Sequence, residues 1–338
     1  MKAVGLYGGL EPVTTRRPLL GILVAGIAAP RLLLAQASRV MTVAVLFVGE
    51  SDDDEPAARP FFEEMARLDW LAGKNVAYDL HSGKGTRQYL ESLAGTVVGR
   101  APDLIFAASA SLAIAVLKQT DTVPVVFTTT ADPVAARLVS SLAKPGKNAT
   151  GVYQVPGDMA ARRYGLIKQV MPNLKRMGAV FDRGTPDFLN RKATHQKAAR
   201  AAGIELSMAE FTNFEAIAKI LAQYRRNGII GVEVTPSFAL TGRRREVTGL
   251  AERNGIALVA HRAEWADAGA VLTYGVDIGE SYRRAAGIAS RILKGAKPAE
   301  TPVERPDRFE LVVNPRAALA LGIAIPKALL QQASRVIA

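Results

Sequence analysis

The sequence predicts an α/β protein of two doubly wound parallel-sheet lobes joined by a hinge and preceded by a signal peptide. Three observations carry that prediction. Short β-branched apolar runs alternate with amphipathic stretches along most of the chain, the pattern of buried strands covered by crossover helices. The alternation pauses at the turn-rich Lys144-Pro145-Gly146-Lys147-Asn148 and then begins again, giving two successive sets of five strands. Ahead of it lies a stretch of different character: an arginine pair, an apolar run and a small-residue cleavage signature. No residue-level repeat connects the two sets, so they share an architecture only.

The leading segment comes first. Thr15-Arg16-Arg17-Pro18-Leu19-Leu20 is a twin-arginine-like start, Leu19 to Ala29 is the apolar stretch, and Ala35-Gln36-Ala37 is an A-x-A signature. Pro30-Arg31 interrupts the apolar run, which is too short for a comfortable membrane span. Residues 1–37 are therefore expected to be a signal peptide, with the mature chain starting near Ser38. There is no cysteine, so there is no disulfide framework and no lipid-attachable residue at the cleavage site. A soluble protein of a bacterial periplasm follows, exported by the twin-arginine or the general secretory route, with no stable membrane anchor.

In the first set, strands are expected at Thr42 to Val48, Asn75 to Leu80, Asp103 to Ala107, Val123 to Phe127 and Gly151 to Gln154. Helices are expected at Ala57 to Leu71, Thr86 to Arg100, Ser111 to Gln119 and Pro133 to Leu142. The last is read from Asp132-Pro133, an N-cap followed by proline at the first helical position, and from apolar Val134, Leu138, Val139 and Leu142. In the second set, strands are expected at Met177 to Phe181, Ile204 to Met208, Ile229 to Val234, Ala257 to Ala260 and Val271 to Tyr274. The helices between and before them are Met159 to Val170, Asp187 to Ala202, Phe214 to Arg226 and Ala239 to Arg253. A helix at Glu280 to Leu293, a connector at Gly295 to Pro306 and a strand at Phe309 to Asn314 complete the chain. The lobes are expected to be residues 38–152 plus 277–303 and residues 153–276 plus 304–338. A hinge of two or three parallel strands between them would let them close on a ligand.

Composition and motifs exclude other classes. The net charge is +12, but the basic residues are scattered along helical segments, and Arg243-Arg244-Arg245 is the one run. Aromatics are 6%, too few and too dispersed for a stacking, basic nucleic-acid surface, so no nucleic-acid partner is expected. The histidines, His81, His195 and His261, are far apart, and there is no G-x-S-x-G elbow, no H-E-x-x-H, no P-loop and no G-x-G-x-x-G after the first strand. Neither catalysis nor a cofactor nor a metal is indicated.

The chain from about Met41 to Ile337 resembles the ABC-transporter substrate-binding proteins first associated with aromatic amino acids such as tryptophan and tyrosine. The strings that carry the resemblance include Thr42-Val43-Ala44-Val45-Leu46, Gly73-Lys74-Asn75-Val76, Pro124-Val125-Val126-Phe127 and Asp132-Pro133-Val134. Later ones are Lys144 to Val152, Leu272-Thr273-Tyr274-Gly275, Arg291 to Pro298 and Phe309 to Asn314. The resemblance implies a type I periplasmic-binding-protein fold and a small polar ligand, an amino acid or related amine, held between the lobes. It also implies delivery to an ABC permease with its ATPase in the inner membrane. A ligand-sensing protein coupled to a sensor kinase or another uptake system is the alternative.

Loops leaving strand carboxyl ends should line the cleft. In the first lobe these carry Ser51, Ser109, Ser111, Thr128, Thr129, Asp132, Tyr153 and Gln154. Ser109 or Ser111 suits a helix N-cap beside a ligand carboxylate, and Asp132 suits a ligand ammonium. In the second lobe they carry Thr185, Thr235, Phe238, Glu264, Trp265 and Tyr274, of which the aromatics would form apolar walls. The acidic run Asp52-Asp53-Asp54-Glu55 departs from the family pattern and would favour cationic ligands if it reached the rim.

Overall fold

The computed structural model describes residues 39–49, 58–84, 87–154 and 159–337. The expected signal peptide, Ser51 and the acidic run at 52–55 lie outside the described residues.

The first sheet comprises β1 (Met41–Phe47), β2 (Val76–Ser82), β3 (Leu104–Ala107), β4 (Val125–Thr129) and β5 (Ala149–Tyr153). Its order is β2-β1-β3-β4-β5, and every pairing is parallel. Nearly every residue of β1, β3 and β4 is buried, because helices cover both faces. On one face α2 (Arg87–Gly99) and α3 (Ala110–Leu117) set Leu93, Val97, Leu112 and Val116 against Leu46, Ile105 and Phe127. On the other, α1 (Arg59–Arg67) brings Phe61 onto Phe106, the rings stacked at 4.4 Å.

The second sheet comprises β6 (Arg176–Asp182), β7 (Glu205–Phe211), β8 (Gly231–Val234), β9 (Ala257–Ala260), β10 (Leu272–Val276), β11 (Phe309–Val313) and β12 (Arg335–Val336). Its order is β12-β11-β10-β9-β8-β6-β7, parallel except where β10 meets β11. One face packs α4 (Met159–Val170) and α5 (Phe188–Ala201); the other packs α6 (Ala216–Arg226), α8 (Arg244–Arg253) and the short α9 (Glu264–Asp267). Before α8 a five-residue helix, α7 (Phe238–Gly242), leaves the end of β8. The next helix, α10 (Ile278–Leu293), returns to the first sheet, where Tyr282, Ala285 and Ala289 pack with Phe106 and Phe61.

Two expected elements are corrected. Residues 133–142 form turns rather than a helix. Asp132 starts one helical turn, Ala136 N–H donating to Asp132 O, but Arg137 then adopts a left-handed conformation at φ 58°. The Leu138 N–H donates back to Pro133 O and the Arg137 N–H to Val134 O, the closure that ends a helix and buries Leu138. The single helix expected over 239–253 is two, α7 and α8, broken at Arg243, whose backbone leaves the helical region and whose guanidinium lies 3.5 Å over the Phe214 ring. Two helices that follow β11, α11 (Pro315–Ala320) and α12 (Lys327–Gln332), and the strand β12 were not anticipated.

Three segments cross between the sheets: the chain leaving β5 at Gln154, the step from β10 to α10 at Asp277, and the stretch 304–308 that leads into β11. The first and third run parallel, with Tyr153 N–H donating to Glu304 O and Glu304 N–H to Gly151 O. The second and third run antiparallel, with Asp277 N–H donating to Arg308 O. The expected all-parallel hinge is thus mixed, because the third crossing re-enters as β11 against β10. Among the described residues no helix is long and apolar enough to cross a membrane.

Candidate functional site

Both sheets repeat the strand order in which the second strand lies outside the first, so each has a switch point, between β1 and β3 and between β6 and β8. Loops diverge at such points and leave a crevice at the strands' carboxyl ends. Two adjacent chambers lie there, a narrower one of about 60 Å³ and a wider one of about 160 Å³. They share Thr130, Gln154, Pro236, His261 and Arg262.

The narrower chamber is built on one side by the ends of β1, β3 and β4. Ser109 is extended and caps α3, its Oγ accepting from Leu112 N–H at 3.2 Å. The N–H groups of Ala110 and Ser111 precede the first intrahelical bonds and are left for a ligand, as at any helix start. Thr128 lines the same space, is 1% exposed, and its Oγ1 has no partner. Thr129 is committed instead to its own turn, its Oγ1 donating to Ala131 O and accepting from Ala131 N–H.

The opposite side comes from the second sheet. Asp182, at the end of β6, accepts from Gly184 N–H at 3.0 Å and from the Ser237 hydroxyl at 2.6 Å. That carboxylate ties the loop carrying Thr185 and Pro186 to the loop carrying Pro236 and Ser237. Ser237 caps α7 and so aims Phe238 across the crevice. The Phe238 ring is buried in the first sheet's core, close enough to Gly83 that a Cβ there would come within 2.5 Å of it.

The wider chamber is more polar. Arg163, 4% exposed, projects from α4, its Nε donating to Glu233 at 2.7 Å and its Nη1 to Tyr274 O at 3.1 Å. Arg191 of α5 donates to both oxygens of Asp187, at 2.7 and 3.0 Å. His195 shares a 2.9 Å hydrogen bond with the Tyr164 hydroxyl, and burial followed by the Arg163 charge holds it well below the usual histidine range, hence neutral. Burial also holds His261 neutral, and its Nδ1 has no partner. Gln154 sits where the chambers join, 5% exposed, its Nε2 without a partner among the described residues. Tyr153 completes the wall, its hydroxyl kept protonated as burial and the carboxylates of Asp132 and Asp187 raise its pKa.

Of the residues expected from sequence, Ser109, Ser111, Thr128, Thr129, Tyr153, Gln154, Thr185 and Phe238 come together here. Of the others, Ser51 lies outside the described residues, and the rest line neither chamber. Asp132 Oδ1 accepts from Val134 and Ala135 N–H groups, capping its turn. Thr235 donates to Val180 O at 2.7 Å inside the second sheet's layer. Trp265 is fully buried in that sheet's core, and Glu264 pairs with Arg262. Tyr274 stacks on Phe309 under the Arg162 guanidinium. Sequence reasoning missed Arg163, Arg191 and His195. Their signal was charge on an apolar stripe: Met159, Ala160, Arg163, Tyr164 and Ile167 share one face of α4, and Arg191, His195, Ala198 and Ala199 one face of α5. Among the described residues no cluster is fit to hold a metal ion.

Known proteins resemble the chain over most of its length. The family described as ABC transporter substrate binding protein matches residues 42–337. The tyrosine-binding protein of Clostridioides difficile is 24% identical over 270 residues, 80% of this chain and 77% of that one. A conserved domain protein of Vibrio cholerae superposes with a TM-score of 0.81 at 25% identity, over 88% of this chain and all of that one. The ABC domain from Streptococcus pneumoniae, solved in complex with L-Trp, gives 0.80 at 22% identity, over 89% of this chain and all of that one.

Proposed function

The chain belongs to the ABC transporter substrate binding protein family, and from that premise we propose how it works. It is a solute-binding protein with the two-lobed type I periplasmic-binding-protein fold. The crevice between the sheets holds one small polar ligand of amino-acid size, carrying a carboxylate, and presents it to an ABC permease from the periplasm. The observation that supports this reading best is the convergence of unpartnered buried polar atoms. Thr128 Oγ1, Gln154 Nε2 and His261 Nδ1 all line the two chambers. A buried polar group left unpaired costs about 1–3 kcal/mol, so three in one crevice argue for a partner that arrives from outside. The relatives named for tyrosine and solved with L-Trp support a carboxylate-bearing ligand. The N–H groups at the start of α3 suit such a group.

The lobes close by bending at the three crossings, and the ligand leaves unchanged, as the work of a substrate-binding protein requires. Thermal denaturation of the purified protein against the common amino acids and small organic acids tests the reading. A bound compound at a hundred times its dissociation constant should stabilise by about 2.7 kcal/mol. A compound recovered chemically altered would contradict it.

A further inference from the structure

Resting on that reading, we infer that the ligand is acidic at both ends: one carboxylate lies at the start of α3 and a second in the wider chamber against Arg163 and Arg191. The two chambers are adjacent, sharing Thr130, Gln154, Pro236, His261 and Arg262 in their walls, so one molecule placed along that shared wall would meet both. Each presents donors. In the narrower chamber these are the first N–H groups of α3 beside the unpartnered, fully buried Thr128 hydroxyl. In the wider one they are guanidinium groups. Arg163 uses Nε and Nη1 on Glu233 and Tyr274, leaving Nη2 outside those bonds. Arg191 uses Nε and Nη2 on Asp187, leaving Nη1 outside them. The amide of Gln154 adds a donor between the chambers.

Acceptors are scarce by comparison. Among the described residues, Asp187 is the carboxylate that lines the wider chamber, and Arg191 occupies both its oxygens. Glu233 is fully buried behind Arg163, where it fixes the guanidinium rather than meeting a ligand. A wall of two nearly buried arginines, Asn190 and a tyrosine hydroxyl is suited to an acceptor-rich group. It is poorly suited to a flat apolar ring. Of the three aromatics expected to form apolar walls, Trp265 and Tyr274 lie outside both chambers, and Phe238 lines the narrower one rather than this one.

Calorimetric titration of the purified protein with glutarate, L-glutamate, L-glutamine, L-tryptophan and L-tyrosine tests the inference. Glutarate or L-glutamate should bind at least tenfold tighter than L-glutamine, which lacks the second carboxylate, and than either aromatic amino acid. Glutarate against L-glutamate then distinguishes a plain diacid from an acidic amino acid. Arg191→Gln should weaken the preferred diacid at least tenfold while changing L-glutamine less than threefold. Asp187→Asn, which releases the Arg191 charge, should tighten the diacid, a gain that misfolding cannot produce. Preferential binding of L-tryptophan, L-tyrosine or L-glutamine, or indifference of the diacid to Arg191→Gln, would overturn the inference and leave the crevice reading standing. Failure of every carboxylate-bearing probe to bind would overturn that reading itself.

Discussion

At the scale of single residues, identity and placement part company. Asp132 carries the residue type and position expected of a ligand contact, yet its Oδ1 is occupied by two backbone N–H groups of its own turn. Asn caps about as well as Asp, so Asp132→Asn should leave both melting temperature and ligand affinity nearly unchanged. Asp132→Ala should cost about 1 kcal/mol of stability by denaturant titration. Ser109 and Gln154 were legible as crevice residues because both lie just past strand carboxyl ends, where the loops line the crevice. Arg163 and Arg191 were not, because helices α4 and α5 carry other arginines and only packing decides which one turns inward. A second residue, Glu310 on β11, is raised to about 7 by burial and by the carboxylates of Asp277 and Glu264. With a folded pKa above the unfolded value, its contribution is fully present below about pH 4.5 and is lost as pH rises through 7. Glu310→Gln should therefore raise stability at pH 8 by on the order of 1 kcal/mol, after discounting its partial exposure. His195 and His261, held neutral by burial, act in the opposite sense and lose stability as pH falls below about 6.5. In Glu310→Gln the melting temperature should then fall steadily from pH 7 to pH 5.

Among elements, the strands were readable because β-branched runs too short for helices were bounded by turn residues. Residues 133–142 show the limit of that reasoning. Their apolar spacing fits a helix, but Leu138 and Val139 reach the core only after the chain reverses at Arg137. The short α7 was equally hidden, and it matters more. It sends Phe238 from the second sheet's side into the first sheet's core beside Gly83 and Leu90. Burying such a ring is worth about 1.5–3 kcal/mol, so this contact holds the two sheets' sides of the crevice together. Gly83→Ala places a methyl group within 2.5 Å of the ring and should open the protein, since overpacking costs about 1–3 kcal/mol. Small-angle scattering of the unliganded variant should show a larger radius of gyration than the parent. An unchanged radius would mean that Phe238 packs there without governing closure. Arg163 and Glu233 form a buried link between α4 and β8. Arg163→Met should cost about 3–5 kcal/mol, because it strands a carboxylate that is fully buried, and adding Glu233→Leu should recover most of the loss.

For the whole molecule, the repeated strand order explains why the site lies where it does. Each sheet opens its switch point toward the other, so neither lobe alone completes the crevice. Two sets of alternating elements announced the two sheets, whereas the return of α10 to the first sheet and of β11 to the second is written in long-range packing. The central claim, that one ligand binds in this crevice, is tested most directly by filling it. Ser111 lines the narrower chamber on α3 and lies outside the buried core, so Ser111→Trp should occupy that space while sparing the fold. Calorimetric titration of parent and variant with L-glutamate, glutarate, L-tryptophan and L-tyrosine gives the comparison. The account predicts saturable one-to-one binding of at least one of these to the parent and none to the variant, with equal unliganded melting temperatures. Binding that survives intact in the filled crevice would contradict it.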